Sequence, residues 1–230
     1  MSTNEFDLQV KQAMAKSPLS ELPPALIERL LADSQRIDVP RNASIYNVDD
    51  NPRCALVVSG VIRIYMSSPD GRQVTVRYAR NAELIGLVAI VGGPPKVSAQ
   101  VLTEARLLML NGKTITQMGQ SEPRAGWIFA REITHRLFDT LDALAANTFG
   151  TLRQRIASHL LDLAASSSQT ATLVANISQR ELADAVGSVR PVVARILGDL
   201  RSDGLIETTK DGIILLDPQA LVAETWGNAV

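Results

Sequence analysis

Arg190 and Arg195 are the side chains best suited to recognition chemistry in this chain. They lie five positions apart in GSVRPVVAR, residues 187–195. A guanidinium is planar and always charged, and its fork can hold O6 and N7 of a guanine together, which a lysine cannot do. That chemistry needs an element that carries both groups outward on neighbouring faces of one helix end. The surrounding sequence supplies it. Ser178 and Glu181 have the spacing of a capping box, which starts a first helix. Leu182, Ala183 and Val186 form its inner face, and Ala183 is small where two helices must cross closely. Gly187 permits the sharp turn, because glycine reaches positive φ without steric cost. Ser188 is placed to cap the next helix, and Pro191 is tolerated only near a helix start. Val193, Ile196 and Leu197 then face back toward the first helix. This is the pattern of a helix-turn-helix whose second helix points its N-terminal end outward. Beyond it, Gly204 to Glu207, then Lys210-Asp211-Gly212, then Ile213 to Leu216 read as a short β-hairpin, or wing.

The candidate DNA face therefore comprises Ser178, Gln179 and Arg180 on the first helix. On the second it comprises Ser188, Val189, Arg190, Pro191, Val192 and Arg195. Net charge does not create it. Residues 151–230 hold seven Lys+Arg against nine Asp+Glu, a net of −2. Binding must depend on placement, with Arg180, Arg190, Arg195 and Lys210 toward DNA and the acids elsewhere. Affinity should still fall steeply with salt, because phosphate neutralisation releases counterions.

The remaining chain must hold this module. It has 230 residues, a formal charge of −1 and 46% apolar residues, which suits one large domain or two small ones with a real core. No apolar run reaches the length of a membrane span, and MSTNEFDLQVKQ lacks the basic end and apolar middle of a secretory signal. The single cysteine, Cys54, makes no internal disulfide and no cysteine cluster for iron–sulfur or structural zinc. Residues 5–34 read as helical. From Arg36 to about Leu110, short runs (IDV, ASIY, CALVVSG, VIRIYM, QVTVRY, VSAQVL, ARLLML) alternate with turn residues, which predicts a β-roll or barrel. Ser68-Pro69-Asp70-Gly71 reads as a hairpin turn. From Ser121 to about Phe149 a helical period returns. Ala130, Ile133, Leu137, Thr140 and Leu144 recur at three- and four-residue steps, the narrow seam of a coiled coil. A helix lying on its own domain's core gives a similar pattern. The two coexist if Phe129, Phe138 and Leu141, which lie off the seam, pack on the β domain. Gly150 marks a break, a further helix carries Ile156, Leu160, Leu161 and Leu163, and 166–172 is a polar loop.

This order of β-roll, long helix, helix-turn-helix and wing resembles the cyclic-AMP receptor/FNR-type family of bacterial transcription regulators over about residues 20 to 216. Its most specific pieces are ISQRELADAVGSVRPVVARIL and LVVSGVIRIYMSSPDGRQVTVRYARNAELIGLVAIV. The family's recognition helix reads G-x-S-R-E-T-V-x-R. The resemblance puts Arg190 and Arg195 at its two arginine positions and Pro191 where its glutamate accepts a proton from a cytosine amine. It puts Ser178 where a hydroxyl touches phosphate. Cyclic-nucleotide members carry F-x-G-E-L-x-L and then R-S-A. Here Gly86 is followed by Leu87 at the glutamate that would hold the ribose hydroxyl. Val97 stands at the arginine that would pair with the phosphate, and Ser98 remains. Thr140 occupies the base-contacting position, with Leu141 in place of its serine neighbour.

These readings combine into an α+β chain. Residues 1–120 form a cyclic-nucleotide-binding-like β-roll sensor with N-terminal helices, 121–149 a long dimerisation helix, and 150–230 a winged helix-turn-helix. The expected protein is a cytoplasmic homodimeric transcription regulator on a near-palindromic double-stranded site, its recognition helices about 34 Å apart. The resemblance implies RNA polymerase as a further partner. Gly86, Leu87, Val97, Ser98, Thr140 and Leu141 form a degenerate effector pocket, from which cyclic AMP is not expected to bind tightly. Leu87, Val97 and Leu141 together would suit a less polar ligand, or the protein works without one. No cofactor is expected: cysteine count excludes iron–sulfur, and His135 and His159 sit on helices, away from the strands that would carry a haem ligand. No Ser/His/acid constellation, metal-ligand spacing or phosphate loop suggests an enzyme. The rival reading is a protein-interaction module that has lost DNA binding, supported by Pro191 and the net acidic module.

Overall fold

The run CALVV, residues 54–58, holds no charged or amide side chain because its strand is covered on both faces. The computed structural model describes residues 3–164, 173–210 and 212–225; the loop read at 166–172 and Asp211 lie outside the described residues. Two compact units emerge. The first comprises Met1–Ile64 and Ala79–Asp139, the second Tyr65–Tyr78 and Thr140–Val230.

Along the chain, α1 (Thr3–Lys16), a 3-10 turn (Pro18–Glu21) and α2 (Pro24–Ala32) precede the strands. Strands β1 (Gln35–Val39), β2 (Ser44–Tyr46), β3 (Cys54–Ser59), β4 (Ile62–Ser67), β5 (Gln73–Ala79) and β6 (Leu84–Ile85) follow. A short helix α3 (Leu87–Gly92) leads to β7 (Ser98–Val101) and β8 (Ala105–Leu110). Every run read as a strand is one. Together with the two-residue β6, which no run announced, they form two four-stranded sheets, β1-β8-β3-β6 and β2-β7-β4-β5. The period-2 alternation of strands assigns each side chain to a layer. On β3, Ala55 and Val57 join Ile45, Ile62, Ile64, Ala99, Val101 and Leu107 in a core shared by both sheets. Cys54, Leu56 and Val58 point the other way, into a second core with Leu19, Leu30, Ile115, Met118, Ile128 and Phe129 from the helices. Ser68-Pro69-Asp70-Gly71 turns the β4–β5 hairpin with Gly71 at φ +83°.

Two helices follow β8. α4 (Gly112–Ser121) has Asn111 as its cap, the Asn111 Oδ1 accepting from the Lys113 and Thr114 amides. The sequence pattern does not announce it. α5 runs Pro123–Phe149. Phe129 is buried in the helix-side core, as expected of an off-seam residue, but Phe138 and Leu141 are exposed rather than packed on the β domain.

Cys54 is buried at the start of β3, and burial, reinforced by the Glu132 carboxylate, pushes its thiol up to about 12. The thiolate is the reactive form. The native protein is therefore expected to leave an Ellman-type reagent unreacted at pH 8 and to react fully once denatured. Prompt native reaction would mean that this strand opens.

Candidate nucleic-acid interface

The second unit is built around α6 (Leu152–Ala164), whose Ile156, Ala157, Leu160 and Leu163 are buried. Around it lie β9 (Val174–Ala175), α7 (Gln179–Ala185), α8 (Arg190–Ser202), β10 (Ile206–Thr208), β11 (Ile213–Leu215) and α9 (Pro218–Ala223). The capping box is present in both directions. The Ser178 hydroxyl accepts from the Glu181 amide at 3.2 Å, and the Ser178 amide donates to Glu181 Oε2 at 2.8 Å. A cap of this kind contributes about 1 kcal/mol. It uses an oxygen lone pair of Ser178 and leaves the hydroxyl proton for another acceptor.

Gly187 takes φ +65°, the left-handed conformation that the turn requires. Ser188 does not cap α8. Its amide donates to the Ala183 carbonyl, and the cap position falls on Val189, which makes no side-chain cap bond. The turn spends one more residue than the sequence suggested, because the Ser188 amide still closes the end of α7. Leu182, Ala183 and Val186 are buried against Val193, Ile196, Leu197 and Leu200, so the two helices pack as expected. The outward side of α8 then carries Arg190, Pro191 and Arg195 exposed, with Ala194 and Gly198 half-buried between and beyond them. Val189 is 62% exposed just ahead of them. Ser178 and Arg180 are exposed, and Gln179, Ser188 and Val192 are half-buried.

Among the described residues, none forms a salt bridge with Arg180, Arg190 or Arg195. Arg153 is used differently. Its guanidinium holds Glu224 at 2.8 Å and Asp203 at 2.7 Å, which ties α6 to α9 and to the end of α8. Hydrogen bonding from Arg153 holds the Glu224 carboxyl below its ordinary range. Two of the module's acids are thus neutralised internally by one arginine that lies outside the candidate DNA face. The wing is present, with Ile206 opposite Leu215 and Thr208 opposite Ile213. It has a third strand, β9, pairing Ala175 with Ile213. Two residues are too few to show a strand period, so sequence reasoning missed it. Lys210 is exposed at the wing's turn.

The proposed seam is distributed unevenly on α5. Ala130, Leu137, Thr140 and Leu144 are exposed, Leu137 and Leu144 by 54% and 61%. Ile133 instead packs half-buried against the helix-side core. Trp127 at 70%, Thr134 and Leu141 at 49% share the exposed face. The exposed row is therefore 127, 130, 134, 137, 141 and 144, again in alternating steps of three and four, but rotated away from Ile133. The heptad is legible in the sequence once it is started at Trp127, one turn earlier than Ala130.

The effector residues differ in their surroundings. Gly86 sits at φ +76°, where a Cβ would lie 1.7 Å from the Arg53 carbonyl oxygen, so only glycine fits between β6 and α3. Leu87 is 4% exposed and belongs to the helix-side core, whereas Val97 packs on the core between the sheets. Ser98 is buried, and Lys96 is exposed and paired with Asp49 at 2.8 Å. Thr140 and Leu141 are exposed on α5. His135 is exposed; His159 Nδ1 lies 3.1 Å from the Tyr78 hydroxyl, with the rings edge-on. Among the described residues there is no cluster of three or more metal-ligating side chains, and no helix is long and apolar enough to cross a membrane.

Comparison with known proteins agrees with both halves of this architecture. Residues 36–122 match the model of the cyclic nucleotide-binding domain, and residues 154–224 that of the Crp-like helix-turn-helix domain. The transcriptional regulator LdrP of Thermus thermophilus is 34% identical over 176 residues, covering 72% of this chain and 83% of LdrP. A CRP-like cAMP-activated global transcriptional regulator of Mycobacterium tuberculosis is 25% identical over 204 residues, covering 86% of this chain and 91% of that protein. The solved structure of a CRP-family transcriptional regulator, also from Thermus thermophilus, aligns at a TM-score of 0.69 and 29% identity, covering 82% of this chain and 95% of that one.

Proposed function

Because this chain belongs to the CRP/FNR family of transcription regulators, a family of DNA-binding proteins and not of enzymes, we propose that it acts in the cytoplasm as a homodimer. Each subunit reads one half of a near-palindromic site. The observation that carries this reading is the start of α8, where Arg190 and Arg195 are exposed and outside every described salt bridge. Free forks at a recognition helix can enter a major groove without first breaking internal pairs. The two copies would meet along the exposed apolar row of α5, because a row of this size is costly to leave in water. RNA polymerase is the further partner that the family implies.

We propose also that cyclic AMP is not the effector. A nucleotide phosphate needs a cation and its ribose needs an acceptor. Leu87 and Val97 supply neither, and Lys96, a flexible point charge, is held by Asp49. A buried phosphate left without its partner costs roughly 3–5 kcal/mol, about two to four decades of affinity. The residues present do not fit this ligand.

One experiment tests both statements. Random-sequence duplexes are selected on the protein with and without cyclic AMP, and the nucleotide is titrated by calorimetry. The expected result is a two-fold symmetric site containing guanines, recovered equally in both conditions, with no micromolar nucleotide binding. Retention of no duplex would leave the interaction module standing in place of the regulator. Micromolar binding of cyclic AMP would overturn the reading of the effector residues alone.

A further inference from the structure

The groups that flank the two arginines are unusual for a DNA-reading surface. Over residues 189–195, α8 and its cap present no side chain that accepts a hydrogen bond. Val189 is 62% exposed, and Pro191 is exposed directly beside Arg190 and one turn before Arg195. Ala194 lies between the arginines, and a Cβ built at Gly198 would meet nothing within 4 Å. The surface therefore offers two donor forks set among apolar groups. In the major groove, guanine shows two acceptors, which suit the forks. Cytosine and adenine show amines, which need an acceptor that residues 189–195 do not supply. Thymine shows a C5-methyl, which an apolar side chain can cover.

We infer that Val189 and Pro191 are specificity residues that select thymine through its C5-methyl at the base pairs flanking the guanines read by Arg190 and Arg195. This rests on the DNA-binding reading above and adds the chemistry of the neighbouring bases. Val189 reaches the groove from the cap and Pro191 from the first turn. Neither contributes a polar contact, so their discrimination comes from excluding water from a methyl group.

Deoxyuridine removes that methyl and nothing else. Fluorescence anisotropy compares the selected duplex with one whose half-site thymines are replaced by deoxyuridine. Burying one methyl corresponds to about a fourfold change in affinity; two per half-site, one each for Val189 and Pro191, make four in the palindrome, or about two hundredfold. The parent is expected to lose affinity by this factor. Val189→Ser combined with Pro191→Ser is expected to bind both duplexes within about twofold of each other. Both changes suit the fold, because serine is a better cap than valine and is accepted in a first turn. The inference is overturned if the parent binds both duplexes equally, or if the double variant keeps the parent's preference. Either result leaves DNA binding intact, whereas failure to bind any duplex would remove the DNA-binding reading and this inference with it.

Discussion

Arg190→Ala is expected to weaken binding to the selected site by at least about thirtyfold while leaving the melting temperature unchanged. One bidentate guanine contact is worth about 1–3 kcal/mol, and a homodimer loses two of them. The protein itself should not notice, because the guanidinium is exposed and makes no salt bridge among the described residues. Arg195→Ala should behave alike. Arg190→Lys keeps the charge but loses the fork, so it should recover little of the affinity and should relax the choice of base at one position per half-site. Arg180→Ala provides the contrast. A phosphate contact carries no sequence information, so its loss should weaken all duplexes about equally and flatten the salt dependence by roughly one counterion per half-site, about two for the palindrome. Quantitative gel shifts across salt concentrations and base variants separate these patterns. If Arg190→Ala lost affinity equally for every sequence, its role as a base reader would be wrong.

Placing charges on the exposed row of α5 is expected to have a still larger effect. Leu137→Asp with Leu144→Asp should convert the dimer to a monomer in sedimentation velocity. Its affinity for the full palindrome should then fall by about 10²–10⁴, because the second half-site is no longer bound from the same particle. Affinity for an isolated half-site should barely change. Far-UV circular dichroism and thermal melting guard against a trivial outcome, since both leucines are more than half exposed in the single chain. Ile133→Asp is the informative control. Ile133 packs against the helix-side core, so charging it should lower the stability of the monomer itself. A Leu137/Leu144 double variant that remained dimeric would place the interface elsewhere.

The parts of this chain that were legible in its sequence are those where a local rule and the tertiary fold agree. The strands of the β-roll announced themselves because β3 is covered on both faces and is apolar from Cys54 to Val58, and because turn residues separate the runs. The helix-turn-helix did so because a capping box, a glycine turn and a continuous buried face all coincide within about twenty positions. Elsewhere the signals were too short or too weak. α4 contains Gly112, Thr114, Thr116 and Gly119, none of them a strong helix former, and it is held by its Asn111 cap and by burial of Ile115 and Met118 against a core that no local pattern displays. Strand β9 is two residues long. Ser188 has a side chain that suits the cap of α8, but its amide is committed to the Ala183 carbonyl, and the helix begins after Val189 without help. Ile133 had the right spacing for the seam. Spacing alone does not say which side of a helix meets its own domain, and only the position of the core decides that.

Segment 65–78 has a consequence for dissection by limited proteolysis. It belongs to the same compact unit as the C-terminal module although stretches of the first unit lie on both sides of it in the chain. A single nick beside Gly150 would release a C-terminal fragment without Tyr78, the phenol whose hydroxyl meets His159. Such a fragment lacks part of its own packing, and its thermal stability would understate that of the same helices in the intact chain.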